Sequence, residues 1–483
     1  MQELRRRENA SLDERVADPP APRLQTLGPP PADTAGRQAW QAQALLLEQA
    51  RAASLAGDQV ALRTATAEPP EVFGSQEDRA AAHAWSVDRD AAEAPADDAL
   101  RDAAASPGTH AGLSVAIIGG SITGPVLSLL FRQAGFDDIH VYEATPTATP
   151  QAGGVIGLDH VSLGVLDTIG IPQEEIVPFP SERVISIKIA DRREAGRVQT
   201  LYPGRNTTWT LAHHALTRRL PEHALHTGAR LVDLEPGPDG RPVLRFQGGS
   251  SATADLAAFA DGRTSTGRRL LDPDRPLRYA GYVAHRGQLD DCPADLRDFR
   301  RYEPNGTQFT AFPIRHAGGV GTDWTFYLSA SAEQFRAHFG ADPTTRTFVA
   351  PHQISDAARA YVDAKATELL PPSAADLVHR TTTRMAVPVL DIAPPTRMVY
   401  PVGAGRAVLL GDALAPVRPH TGRGGNNGID QAAGLVIALA QHRRHHADLD
   451  AALAAWQARY LPMVAQSLQL GPQLGHAIGL GDD

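Results

Sequence analysis

The sequence predicts an α/β fold: a Rossmann-like nucleotide-binding domain joined to a mainly antiparallel-sheet domain, with a C-terminal helix and a long, partly disordered or helical N-terminal extension. Three observations predict it. The apolar run LSVAIIGG from Leu113 stops at glycines and leads through a helical pattern to a second apolar strand. Strand-like segments then follow one another from Tyr279 to Ala330 with no helical period between them. After Ala407 to Leu410 the chain returns to strand, turn and helix.

At 483 residues the chain exceeds what one core usually serves, so two domains plus appendages are expected. Its 42% hydrophobic and 21% charged content is that of a globular protein. The net charge of -9 gives no electrostatic footprint for nucleic acid. Cys292 is the only cysteine, which excludes an internal disulfide and a dithiol pair and fits the cytoplasm. No run reaches the roughly 20 apolar residues of a membrane span. His352, His445 and His446 read as solvated surface, and no carboxylate cluster points to a metal.

Residues 1–110 are rich in Ala, Pro and charge and can bury little; within them Trp40 to Thr66 has the spacing of an amphipathic helix. LSVAIIGG reads as the buried first strand of a parallel sheet, Pro125 to Ala134 as the helix after it, and IHVYE, ending in Glu143, as the second strand. Val184 to Ala190 and Arg197 to Tyr202 read as paired strands, and Ala212 to His223 as a helix. Ala229 to Leu234, Pro242 to Phe246 and Asp255 to Ala260 follow as strands, and Leu449 to Gln469 as the last helix. These readings divide the chain into the extension, a discontinuous nucleotide-binding domain (111–183, 205–278, 398–440), a sheet domain (184–204, 279–397) and a helical end (441–483).

Three turns carry the chemistry. Gly119-Gly120-Ser121-Ile122-Thr123-Gly124 fits the phosphate-binding turn GxGxxG except that Ser121 replaces the second glycine; its hydroxyl is itself a candidate phosphate ligand. The helix start supplies N–H groups to phosphate, and Glu143 stands where a carboxylate takes ribose hydroxyls. Asp261-Gly262-Arg263-Thr264-Ser265, with Arg268 three residues on, is a second acidic turn. Gly411-Asp412 is a third, followed by Pro419, Gly422, Gly424 and Asn426 before a helix, a loop whose glycines admit a flat ligand.

In this order and spacing the three motifs resemble the class A flavoprotein monooxygenases, single-component FAD and NAD(P)H aromatic hydroxylases of the p-hydroxybenzoate hydroxylase type, over Leu113 to Gly479. The resemblance implies that Gly119, Gly120, Ser121, Gly124 and Glu143 hold the ADP part of FAD. It gives Asp261, Gly262, Ser265 and Arg268 to the pyrophosphate and the nicotinamide cofactor, and Gly411 and Asp412 to the ribityl chain. YAGYVAHRG from Tyr279 is similar to the family's YAGYVAWRG, and Arg418-Pro419-His420 resembles the 2,6-dihydroxypyridine hydroxylase branch. His214 and Gln151 stand where many relatives have arginine.

The implied reaction has NAD(P)H reduce the flavin, which passes one oxygen atom of O2 to an electron-rich ring carbon. A phenolic substrate then asks for a base near neutral pKa, which histidine fits. His420 is the first candidate, His285 or Tyr282 the second, with a structural donor as the alternative for His420 and a core histidine for His285. The strands Gln308 to Ile314 and Asp323 to Leu328 are expected to line the pocket, with Phe309 and Phe326 as possible core. The expected partners are a small aromatic substrate and O2, with the protein a monomer or homodimer. A flavin reductase, a halogenase and an inactive flavin-binding protein are the alternatives; the halogenase motif WxWxIP is absent.

Overall fold

The computed structural model describes residues 112–146, 154–177, 183–201, 204–316, 319–445 and 448–481. The N-terminal extension with its expected helix, and Gln151, lie outside the described residues.

The chain opens with β1 (Val115–Ile118), α1 (Thr123–Gln133) and β2 (Ile139–Glu143), then β3 (Val155–Asp159). The hairpin β4 (Arg183–Ala190) and β5 (Arg193–Leu201) follows, then β6 (Gly204–Thr208) and α2 (Trp209–Thr217). Short strands β7 (Leu225–Thr227), β8 (Leu231–Pro236), β9 (Pro242–Phe246), β10 (Ser251–Thr253) and β11 (Leu256–Phe259) lead to the long β12 (Arg278–Leu289). Next come β13 (Phe299–Glu303), β14 (Gln308–His316), β15 (Gly319–Ser329) and, after three helices, β16 (Thr383–Asp391). The chain finishes with β17 (Val399–Val402), β18 (Gly405–Leu409), α3 (Gly424–His445) and α4 (Leu449–Ala477).

The first sheet has the order β17-β18-β11-β1-β2-β7, all parallel except the edge strand β17. Its central strands read as continuous apolar runs because both faces are covered. Val126, Leu127, Leu130 and Phe131 of α1 are buried against them, and burying each such side chain contributes about 2–3 kcal/mol. Gly135, at φ 81°, ends α1 in the left-handed conformation, with the Phe136 N–H donating to the Phe131 carbonyl at 3.0 Å.

The second sheet has the order β16-β12-β15-β14-β13-β4-β5 and is antiparallel except where β13 pairs with β4. Successive side chains on β12 point to opposite faces. Val283 joins Phe335 and Phe339 of the helix Ala332–Phe339 in one cluster. Phe309, Trp324 and Phe326 pack with Val362, Ala366, Leu377 and Val378 from the helices Asp356–Leu369 and Pro372–Arg380. The other face carries Ala280, Tyr282, Ala284, Tyr327 and Val389.

Several elements differ from expectation. α2 starts at Trp209, where the Thr208 hydroxyl accepts from the Leu211 N–H at 3.2 Å, and it stops at Thr217 instead of running to His223. α4 continues to Ala477, past the expected Gln469, through Pro462 and Pro472. A proline inside a helix costs about 3 kcal/mol; here Leu453, Trp456, Tyr460 and Val464 bury into the first core and offset it. Three helices lie between Ala332 and Arg380, past the expected strand run that ends at Ala330 and inside the stretch given to the sheet domain.

Candidate active site

The turn after β1 is closed to any side chain at two of its glycines. A Cβ on Gly119, at φ 110°, would sit 2.3 Å from the Ala260 carbonyl oxygen, and one on Gly124 1.9 Å from that of Gly119. The close approach brings the start of α1 beneath the turn, its first N–H groups facing outward. Glu143 reaches the turn from β2, accepting from the Gly120 N–H at 2.7 Å and the Thr145 N–H at 2.8 Å. Ser121 is exposed, and its Oγ accepts from the Trp209 indole N–H at 2.9 Å.

Asp261 and Asp412 end the neighbouring strands β11 and β18. The Asp261 carboxylate accepts from the Ser265 hydroxyl at 2.5 Å and from the Thr266 and Gly267 N–H groups at 2.7 and 3.2 Å. It therefore caps the helix Thr266–Leu271, while Ser265 accepts from the Arg268 N–H. Gly262, at φ 74°, completes the turn. Arg268 is buried and joins the two turns: it donates to the carbonyls of Asp412 at 3.1 Å, Ala413 at 2.7 Å and Arg263.

Asp412 is different. Its carboxylate accepts no hydrogen bond from any described residue; burial pushes its pKa up, opposed by the charges of Arg263 and Arg268. The Gly411 N–H donates to Gln431 Oε1 at 2.7 Å, which fixes the turn over α3. Pro419–Thr421 forms a single 3-10 turn, and Gly424 begins α3. A Cβ on Gly422 would meet nothing within 4 Å, and one on Gly424 only Asp412 at 4.0 Å, so the loop offers bare backbone on its open side. Asn426, expected to touch the cofactor, spends its amide on the chain: Nδ2 donates to the Gly157 and Gly422 carbonyls at 3.0 and 2.7 Å, and Oδ1 accepts from the Asp159 N–H. Arg423 pairs with Asp159 at 2.5 Å, so β3 is tied to this loop twice.

His420 stands at the sheet. Its ring stacks on Tyr282 at 5.7 Å and lies 4.5 Å from Tyr327, and its buried Nε2 has no hydrogen-bond partner among the described residues. Burial first, and then Arg418 and Arg301, lowers its pKa to about 3. A base near neutrality was expected; the desolvated aromatic surroundings give a neutral ring instead. Tyr282 is fully buried, with Arg418 5.5 Å over its ring, and burial raises its phenol. Burial likewise pushes Tyr327 up to about 12. His285 is not part of this group. It points to the other face of β12, its ring near Phe339 and Tyr361, and burial lowers its pKa to about 3. Phe309 and Phe326 are core on that same far side.

Several residues were passed over in the sequence because only the fold brings them here. Arg286, on the same face of β12 as Tyr282, lies against Gly154, where a Cβ would overlap its guanidinium. It stands 4.0 Å from the buried Asp323 and next to Arg263, whose pKa burial lowers. Arg418 makes a two-point ion pair with Asp391, at 2.7 and 2.5 Å. Leu480, fully buried after α4, packs with Tyr282 and Tyr327, and Gly475 and Gly481 close on Arg418. His213, one residue before the expected His214, faces the phosphate turn; His214 is exposed.

A dinucleotide with a flat ring system fits these groups. The turn at Gly119 presents N–H donors for phosphate, Asp412 is an acceptor without a donor, and Gly422 and Gly424 leave backbone open to a planar ligand.

Comparison with known proteins agrees. The family model "FAD binding domain" matches residues 112–470. The chain is 29% identical to the 2,6-dihydroxypyridine 3-monooxygenase of Paenarthrobacter nicotinovorans, covering 72% of this chain and 87% of that protein. It is 28% identical to the 3-amino-4-hydroxybenzoate 2-monooxygenase of Streptomyces cremeus, covering 68% and 78%. Among solved structures, 2,6-dihydroxypyridine-3-hydroxylase from Arthrobacter nicotinovorans superposes with a TM-score of 0.68 at 24% identity, covering 78% of this chain and 95% of that one. Klebsiella pneumoniae HpxO, complexed with FAD and uric acid, does so with a TM-score of 0.63 at 20% identity, covering 76% and 89%.

Proposed function

The chain belongs to the FAD binding domain family, and from that premise we propose that His420, between Tyr282 and Tyr327, marks the place where an aromatic substrate is hydroxylated. The protein is an FAD-dependent monooxygenase acting on aromatic compounds with O2, and NAD(P)H is its reductant. The cofactor part is assigned to 111–183, 205–278 and 398–440, and the substrate part to 184–204 and 279–397. A phenol, aminophenol or hydroxypyridine is the substrate class, since the relatives include a 2,6-dihydroxypyridine 3-monooxygenase, a 3-amino-4-hydroxybenzoate 2-monooxygenase and a salicylate hydroxylase. The carrying observation is the buried His420 Nε2 without a partner, enclosed by two tyrosine rings beside the glycine loop.

When bound, FAD takes electrons from NAD(P)H and delivers one oxygen atom of O2 to an electron-rich ring. The work of the chain is to orient the ring, exclude water and manage a proton. Neutral His420 accepts a hydrogen bond from the substrate hydroxyl at Nε2 and takes its proton as negative charge develops on the substrate, which lifts the ring's own pKa. The Tyr282 and Tyr327 rings keep that exchange dry and give the substrate a flat wall. Asp412 would accept hydroxyl hydrogen bonds from the cofactor, and Arg263 and Arg286 would balance negative charge on it. The glycine turn and Glu143 would take the ADP part.

The test is NAD(P)H oxidation under O2 across a panel of phenols, aminophenols and hydroxypyridines, with H2O2 measured alongside. At least one compound is expected to speed oxidation with less than one H2O2 formed per NAD(P)H. If all oxidation ends in H2O2 whatever the compound, the hydroxylase reading fails.

A further inference from the structure

The departure from glycine at Ser121 is accompanied by two side chains that fit it. Trp209, the first residue of α2, donates its indole N–H to Ser121 Oγ at 2.9 Å, and its backbone N–H donates to the Gly154 carbonyl at 3.0 Å. One turn later His213 stacks on the Trp209 ring, with centroids 4.4 Å apart and planes 12° apart. Its Nε2 lies 3.1 Å from the Gly120 carbonyl oxygen. Trp209 and His213 thus cover the turn at residues 120 and 121, one partner each.

A serine hydroxyl has one proton to give and two lone pairs to receive, whereas an indole N–H only donates. Trp209 therefore occupies a lone pair and leaves the Ser121 proton free; no described residue accepts it. The acceptors beside it face other donors. Gly120 O faces the His213 N–H, and the Glu143 carboxylate holds the Gly120 and Thr145 N–H groups. Burial lowers the His213 pKa, with Glu143 and His214 as the charged or titratable groups facing it, so its ring is neutral near pH 7 and Nε2–H is the donor. With its acceptors satisfied, the turn turns donors outward at the start of α1, where an anion is favoured.

We infer that Trp209 and His213 form a latch that makes Ser121 O–H a positioned donor to the diphosphate of the dinucleotide, in place of the backbone approach that a second glycine would allow. This rests on the FAD reading above and adds two residues, Trp209 and His213, to the diphosphate site. Ser121 is exposed, so replacing it leaves the fold intact, and Trp209→Phe keeps the ring stack while removing the N–H.

The experiment measures binding, not turnover. FAD, ADP and riboflavin are titrated into flavin-stripped full-length protein, wild type and variants, by flavin or tryptophan fluorescence. Ser121→Ala is expected to weaken FAD and ADP about tenfold, the effect of losing one charge-assisted hydrogen bond. Riboflavin, which has no phosphate, is expected to bind all variants alike. Trp209→Phe should weaken FAD by about threefold and add nothing on top of Ser121→Ala. If Ser121→Ala binds FAD and ADP as tightly as the wild type, or if the Trp209 effect adds in full to that of Ser121→Ala, the latch is overturned. A wild-type protein that takes up ADP but no FAD contradicts the family reading instead, and the ADP arm still decides the latch. Uptake of neither overturns both.

Discussion

Asp261 and Asp412 sit at matching ends of two adjacent parallel strands, paired through Phe259 and Leu409, and both follow an apolar run. In sequence they are near twins. In the fold Asp261 accepts three hydrogen bonds from the six residues after it, whereas Asp412 accepts none from any described residue. Burial raises both pKa values, but hydrogen bonds oppose the rise at Asp261 and only the distant charges of Arg263 and Arg268 oppose it at Asp412. One turn is complete in the folded chain. The other leaves its carboxylate open to a ligand, and Arg268, donating to the backbone of both, makes the finished turn the support of the unfinished one.

The sharpest way to break this contrast is Asp412→Ala. Losing an ionic acceptor for cofactor hydroxyls should weaken FAD about 100-fold, near 3 kcal/mol, so the purified variant should lack the flavin absorbance bands while its apo form unfolds where the wild type does. Asp261→Ala should do the reverse. It removes a helix cap and two further bonds and is expected to cost the apo protein about 2–3 kcal/mol in urea unfolding. If it stripped flavin without loss of stability, the two aspartates would be equivalent and the contrast wrong.

The smallest effect is in pH. Asp412 has a folded pKa above its ordinary 3.8. Its protonated form is therefore favoured by folding, and apo stability should fall as pH rises from that value through the raised one. Asp412→Asn should flatten that slope, whereas an unchanged slope would assign it to another group.

The backbone-driven half of the molecule was legible because its requirements are written in residue type. Gly119 and Gly124 admit no Cβ, IHVYE is bounded as a strand at its exact ends, and Gly411-Asp412 falls where a strand meets a glycine loop. The chemical face of the second sheet was only partly legible. Period-two alternation does not say which face is which, so Tyr282 and His285, three residues apart, stood as equals until β12 placed them on opposite sides. Arg263, Arg286 and Asp323 come together from separate strands and turns, and no local pattern announces that. His420 was found from its loop, but the burial that lowers its pKa comes in part from Tyr282 and Tyr327, which lie more than 90 residues away in the chain. Asn426 misled because a polar residue at a helix start reads as a ligand contact when its amide is in fact spent on β3 and its own loop.

The hook at the end of α4 has a practical consequence. Leu480 is buried against Tyr282 and Tyr327, and a Cβ on Gly481 would lie 2.7 Å from the Arg418 guanidinium. Anything joined directly after Gly481, whether an affinity tag, a reporter or a surface linker, would begin beside the groups that hold His420.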